Sequence, residues 1–199
     1  MNTTMKRIAL AAGSAVLLLA AAACSDANKQ ESPVRLVVSN TQNLHLIDLA
    51  GDPSGSTKCQ GTIGTVLFSS VVVEPATTNT NVSGADLNQM VIDRYQVSYQ
   101  RLDGGTLVPS PFVRSTGVSI ASGGTAQGTT FTVFDPNAIN QAPFAALLPQ
   151  NGGVDPQTGK PVITMDVIMT FFGQTLAGER VSGTTRMTLD FCFSCGGCE

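Results

Sequence analysis

Apolar and polar residues alternate over much of this chain. In the last third Ile163, Met165, Val167, Met169 and Phe171 take every second position, with Thr164, Asp166 and Thr170 between them. A period of two places these sets on opposite faces of a strand. After a connection from Gly173 to Gly178, Met187, Leu189, Phe191 and Phe193 repeat the pattern against Arg186, Thr188 and Asp190. Each segment predicts one buried and one wet face, as antiparallel pairing allows. From Met90 to Leu102, Tyr95, Val97 and Tyr99 share one face, and Arg94, Gln96, Ser98 and Gln100 the other. Asp103-Gly104-Gly105 tolerates positive φ, and Thr106 to Val113 is expected to return as the hairpin partner. Pro109 and Pro111 lack a ladder donor, which assigns the returning segment to an edge.

Other segments read less cleanly. Ile63 to Glu74 is apolar at both parities and is closed by Pro75, the pattern of a central strand. Val34 to Val38 predicts the first strand, Leu44 to Leu49 has an ambiguous period, and Gly51 to Gly61 is rich in turn residues. Val118 to Ile120 and Thr129 to Phe134 predict two short strands around Gly123-Gly124. Asn137 to Leu148 is the one helix expected, with Pro143 in its first turn and Pro149 at its end. Seven or eight strands, turn signals between them and one short crossover helix predict an all-β, antiparallel β-sandwich over residues 34–193.

The beginning of the chain follows another rule. Lys6 and Arg7 precede an apolar or small-residue run from Ile8 to Ala23, and the run stops at Cys24. A basic start, a short apolar stretch and small residues before a cut form a secretory signal, and the stretch is short for a bilayer span. Leu19-Ala20-Ala21-Ala22-Ala23-Cys24 resembles the lipobox of bacterial lipoproteins, with Ala21 where that family prefers Leu. The resemblance implies that residues 1–23 are removed, that Cys24 is lipidated, and that the membrane is a partner through this lipid. Ser25 after the lipid site implies outer-membrane sorting, by the enterobacterial rule. Ser25 to Pro33 is polar and aperiodic, a tether reaching about 30 Å when extended. The strand count and alternation resemble immunoglobulin-like or fibronectin-like modules of extracytoplasmic bacterial proteins, without their core cysteine pair and tryptophan. The whole chain also resembles lipoproteins of environmental bacteria.

Charge narrows the choice of partners. The 199 residues carry a formal charge of −3, and removal of Lys6 and Arg7 with the signal leaves −5. A mildly acidic chain without a basic run argues against nucleic acid and against electrostatic docking on anionic lipid.

The distinctive chemistry is the tail Phe191-Cys192-Phe193-Ser194-Cys195-Gly196-Gly197-Cys198-Glu199. With Cys59, these cysteines form a set of four beside Cys24. CxxCxxC plus a remote cysteine fits a Cys₄ zinc site or iron–sulfur ligation, while an even count in an oxidising compartment fits two disulfides. A chain exported unfolded does not carry a cytosol-built cluster, so disulfides are favoured, zinc is second, and no cofactor is expected. CGGC at 195–198 lacks the following helix that would acidify a redox thiol. Cys192 is fixed by its strand and Cys59 lies near one sandwich end, so the expected bridge is Cys59–Cys192. That bridge closes a loop worth about 4–5 kcal/mol, leaving Cys195 and Cys198 to pair locally or stay reactive.

The remaining polar residues read as structural. His45 is the only histidine, in an apolar stretch with no G-x-S-x-G segment elsewhere, and reads as surface or packing. Asp48, Asp52, Asp135 and Asp155 read as turn residues, Tyr95, Tyr99 and Phe131 as core, and Arg94 and Arg101 as solvated charges. The chain is therefore expected to be a non-enzymatic, lipid-anchored envelope protein, periplasmic or surface-facing, that holds an envelope protein partner. A thiol- or metal-dependent module built on CxxCxxC is the alternative.

Overall fold

The computed structural model describes residues 32–41, 44–50, 62–73 and 87–195. The expected signal, Cys24, most of the tether, Cys59 and Cys198 lie outside the described residues. Eight strands are described: β1 (Val34–Asn40), β2 (Leu46–Asp48), β3 (Thr62–Val72), β4 (Met90–Arg101), β5 (Phe112–Ile120), β6 (Thr125–Thr132), β7 (Val162–Thr175) and β8 (Arg180–Cys192). They form a three-stranded sheet, β1-β3-β6, and a five-stranded sheet, β2-β8-β7-β4-β5.

Burial follows the two-residue period. Ile163, Met165, Val167, Met169 and Phe171 of β7 and Val181, Met187, Leu189 and Phe191 of β8 are all buried. The β4 register shifts between Ile92 and Arg94. This bulge changes the inward parity, so Met90 and Ile92 before it and Tyr95 and Val97 after it all reach the core. The sheets meet through aromatic rings: Phe68 of β3 lies 4.9 Å from Phe171 of β7, and Phe131 of β6 lies 5.3 Å from Tyr95 of β4, both edge to face. Two glycines permit the contact. A Cβ on Gly128 would fall 2.5 Å from the Phe131 ring, and one on Gly183 would fall 2.7 Å from Val38 of β1.

Three expectations are corrected. The five-stranded sheet is mixed, not purely antiparallel, because β2 runs parallel to β8. β2 has three residues, and it adds to the edge of β8 where Asp190 N donates to His45 O and Leu49 N to Cys192 O. The helix expected over Asn137 to Leu148 is a run of three 3-10 turns, Pro136–Asn140, Phe144–Leu147 and Pro149–Asn151. Pro136, Pro143 and Pro149 remove an amide donor every six or seven residues, too often for a continuous α ladder. The run is still a crossover from β6 to β7, and it buries Phe144 and Leu147. The hairpin return begins at Phe112 rather than Thr106 and runs unbroken to Ile120. Pro109 and Pro111 lie ahead of the ladder, and β5 is an edge strand as expected.

Register fixes two ends. At the lower end Met90 pairs with both Ile120 and Thr175, and Val34 with Val72. The turn at Gly123-Gly124 joins the two sheets there, with Ser70 N donating to Gly124 O. At the upper end Val162 pairs with Cys192 and Met165 with Arg101.

Candidate functional site

The upper end gathers the polar chemistry. Asp48, at the end of β2, is 3% exposed. Its Oδ1 accepts from Ala50 N at 2.9 Å and from Ser194 N at 2.8 Å, and its Oδ2 accepts from Cys195 N at 2.9 Å. One carboxylate thus holds the turn after β2 and the loop after β8. Charge-assisted bonds of this kind are about twice as strong as neutral ones. Within the loop Cys192 and Cys195 lie at disulfide distance, their Cα atoms 6.0 Å apart. Cys192 is buried where it pairs with Asp48 of β2, and Cys195 is exposed.

This pairing corrects the expected Cys59–Cys192 bridge. Cys192 does have a strand-fixed position, but Asp48 folds the following residues back and brings Cys195 to it. The paired state also occupies two of the four thiolates that a Cys₄ zinc site would need at Cys59, Cys192, Cys195 and Cys198. Cys24, Cys59 and Cys198 fall outside the described residues.

A second polar cluster lies across the same end. Arg101 Nε donates to Asp103 Oδ1 at 2.7 Å, and its Nη2 donates to Asp155 Oδ2 at 2.7 Å and Asp103 Oδ2 at 2.8 Å. Side-chain exposure is 2% for Arg101, 4% for Asp103 and 1% for Asp155. Burial by itself opposes every one of these charges. The hydrogen bonds of Arg101 outweigh it and hold Asp103 and Asp155 below the usual carboxylate range, while the guanidinium is raised. The cluster also orders backbone. Thr164 N donates to Asp103 at 3.2 Å, Thr158 N to Asp155 at 3.1 Å, and Arg101 Nη1 to Leu107 O at 3.2 Å. Gln157 Oε1 accepts from Thr106 N and Leu107 N, each at 2.9 Å. Two loops are thereby joined into one.

Reading Arg101 as a solvated charge is therefore corrected, and so is reading Asp48 and Asp155 as turn residues alone. The sequence carried a signal for Arg101: it shares the parity of Tyr95, Val97 and Tyr99, the inward set. Asp48 carried one too, as a lone carboxylate inside Leu44 to Leu49. Asp155 had no comparable mark beyond Asp-Pro. Other readings hold. Asp135 caps a 3-10 turn by accepting from Asn137 N at 3.0 Å, Arg94 is solvated beside Asp93, and His45 is exposed.

Tyr95 and Phe131 are core, and Tyr99 packs against it; the two hydroxyls join the sheets. Thr132 N donates to the Tyr95 hydroxyl at 3.0 Å, and the Tyr99 hydroxyl donates to Val133 O at 2.9 Å. Burial, with the charge of Asp135 adding to it, pushes the Tyr99 hydroxyl well above the ordinary phenol range. Among the described residues no group of three or more His, Cys, Asp or Glu is placed to hold a metal ion.

No protein-family model, no curated protein and no solved structure matches this chain.

Proposed function

We propose that the chain is a lipid-anchored protein of the cell envelope, at the outer membrane, whose β domain binds a protein partner and performs no catalysis. Its sandwich is of the immunoglobulin-like kind, extended by the parallel strand β2. The observation that supports the reading is the hydrogen-bonded order of the loops at the upper end. The chain enters the domain at Pro33, at the lower end, where Val73 N donates to Pro33 O. The opposite end carries Leu102, Leu107 and Val154, which are 50%, 43% and 41% exposed. These apolar side chains ride on the loops that Arg101, Asp103, Asp155 and Gln157 fix in place. Preordered loops with exposed apolar residues lose little entropy on binding, which favours protein recognition.

The test is crosslinking in native membranes with wild-type, Leu107→Asp and Val37→Asp proteins, Val37 being exposed in the middle of β1 and away from both ends. A specific envelope partner should be lost with Leu107→Asp and retained with Val37→Asp. Equal crosslinking by both variants, or turnover of a small substrate, would overturn the reading. Replacement of Cys24 by Ala should leave a precursor or a soluble protein; unchanged detergent partitioning would refute the anchor.

A second reading, thiol exchange at the CxxC, is favoured by one specific observation: residue Cys195 is exposed while its partner Cys192 is buried. Attack by a partner thiolate is then expected at Cys195. Trapping a mixed disulfide through Cys195 in a Cys192→Ser protein would favour it over the binding role.

A further inference from the structure

The described residues expose ten large hydrophobic side chains, and five of them belong to the lower end: Val71, Val72, Val73, Leu87 and Leu176, at 46%, 41%, 60%, 47% and 56%. Register and hydrogen bonds bring them to one end from three places in the chain. Val71 and Val72 end β3 opposite Arg35 and Val34, and Val73 follows with its amide donating to Pro33 O. Leu87 precedes β4 and Leu176 follows β7, and Ala177 N donates to Leu87 O at 3.1 Å. Two cations border the group: Arg35 pairs with Val71, and Arg180 pairs with Gln174. Arg180 and Arg94 also line an open depression of about 490 Å³ with Phe172.

We propose that this end is a membrane-docking surface: the aliphatic side chains enter the headgroup–acyl boundary of a phospholipid bilayer, and Arg35 and Arg180 meet lipid phosphates. The proposal rests on the lipid-anchor reading above. The occupant is argued from where the chain enters. Pro33 starts the domain at this same end, and only nine residues, Ser25 to Pro33, separate it from Cys24. A lipid on Cys24 therefore keeps the lower end within about 30 Å of the bilayer. Aliphatic residues with arginines beside them are the composition of a surface that lies in a membrane interface. Docking turns the upper end, with Leu107 and the Cys192–Cys195 loop, away from the membrane.

The chain has no Trp, so single Trp substitutions report position directly. Full-length protein carrying Val73→Trp, Leu176→Trp or, at the upper end, Val154→Trp is placed in phosphatidylethanolamine–phosphatidylglycerol vesicles containing brominated acyl chains. Intact mass records the lipid on Cys24 in the same samples, and circular dichroism records the fold. Emission of the Val73→Trp and Leu176→Trp proteins should fall at least about twofold, with that of Val154→Trp unchanged. Lipidated protein with equal quenching at all three positions, or with none, would overturn the docking while the anchor stands. Protein without lipid overturns the anchor reading; quenching on added vesicles would then support docking by itself, and its absence would overturn both. A protein partner covering this end instead would appear as unquenched Val73→Trp and Leu176→Trp.

Discussion

Asp48 accepts the amide hydrogen of Cys195 at 2.9 Å from 147 positions earlier in the chain. The same carboxylate accepts from Ser194 and Ala50. It ties the backbone at Ser194 and Cys195 to the turn after β2. Asp48→Ala removes the acceptor for three amides and should cost about 2–4 kcal/mol, with faster amide exchange at Ser194 and Cys195. Asp48→Asn keeps one acceptor oxygen and should lose less. An Ala variant as stable as wild type would show that the tail is held by something else.

The Cys192–Cys195 bridge closes a loop with a sequence separation of 3. The chain-entropy relation gives about 2 kcal/mol for so short a loop, against about 4–5 for a bridge reaching Cys59. Removing both cysteines as Cys192→Ala, Cys195→Ala should therefore lower stability only modestly. Peptide mapping without reduction should find the link inside one C-terminal peptide. A peptide pair joining Cys59 to Cys192 would reverse the assignment.

Arg101 balances two buried carboxylates. Arg101→Leu leaves Asp103 and Asp155 without their cation, and breaking a buried pair from one side costs about 3–5 kcal/mol. Denaturant unfolding measures the loss. The exposed Arg94 provides the control, since Arg94→Leu should change stability by less than about 1 kcal/mol.

The same cluster predicts acid sensitivity with a definite sign. Asp103 and Asp155 have folded pKa values below their unfolded ones. The stability they add is fully present above the unfolded carboxylate pKa, about 4, and is lost as pH falls through the folded values. Unfolding free energy should thus be flat from pH 7 to about 5 and should drop below about 4. In Arg101→Leu that drop should shrink. An unchanged acid limb would place its origin in other carboxylates.

Gly183 lies directly beneath β1. Gly183→Val adds a side chain where Val38 Cγ2 would stand 2.7 Å and Leu36 O 3.0 Å from the new Cβ. Overpacking of this kind costs about 1–3 kcal/mol, and backbone at the contact sets the upper part of that range. Thermal unfolding of Gly183→Val against Gly178→Val, a turn glycine with open space around it but φ of 89°, separates packing from backbone strain. Loss of the β1 amide protection should accompany only the first.

By itself the sequence determined the strands, because a buried face repeats every two residues and leaves its mark on each segment separately. β7, β8, the second half of β4 and the edge position of β5 were legible for that reason. The Asn137 to Leu148 segment was read as a helix because composition marks a crossover, while the spacing of Pro136, Pro143 and Pro149 decides which ladder can close. The strand order within the two sheets, the parallel β2 and the bulge near Asp93 depend on contacts between distant segments, on which local period is silent. The site followed the same division. The cysteines were visible as a set, yet the partner of Cys192 was decided by Asp48, a residue separated from the tail by almost the whole domain. Arg101, Asp103 and Asp155 are ordinary polar residues until folding removes them from water together, and a buried charge is stable only when its counter-charges arrive with it.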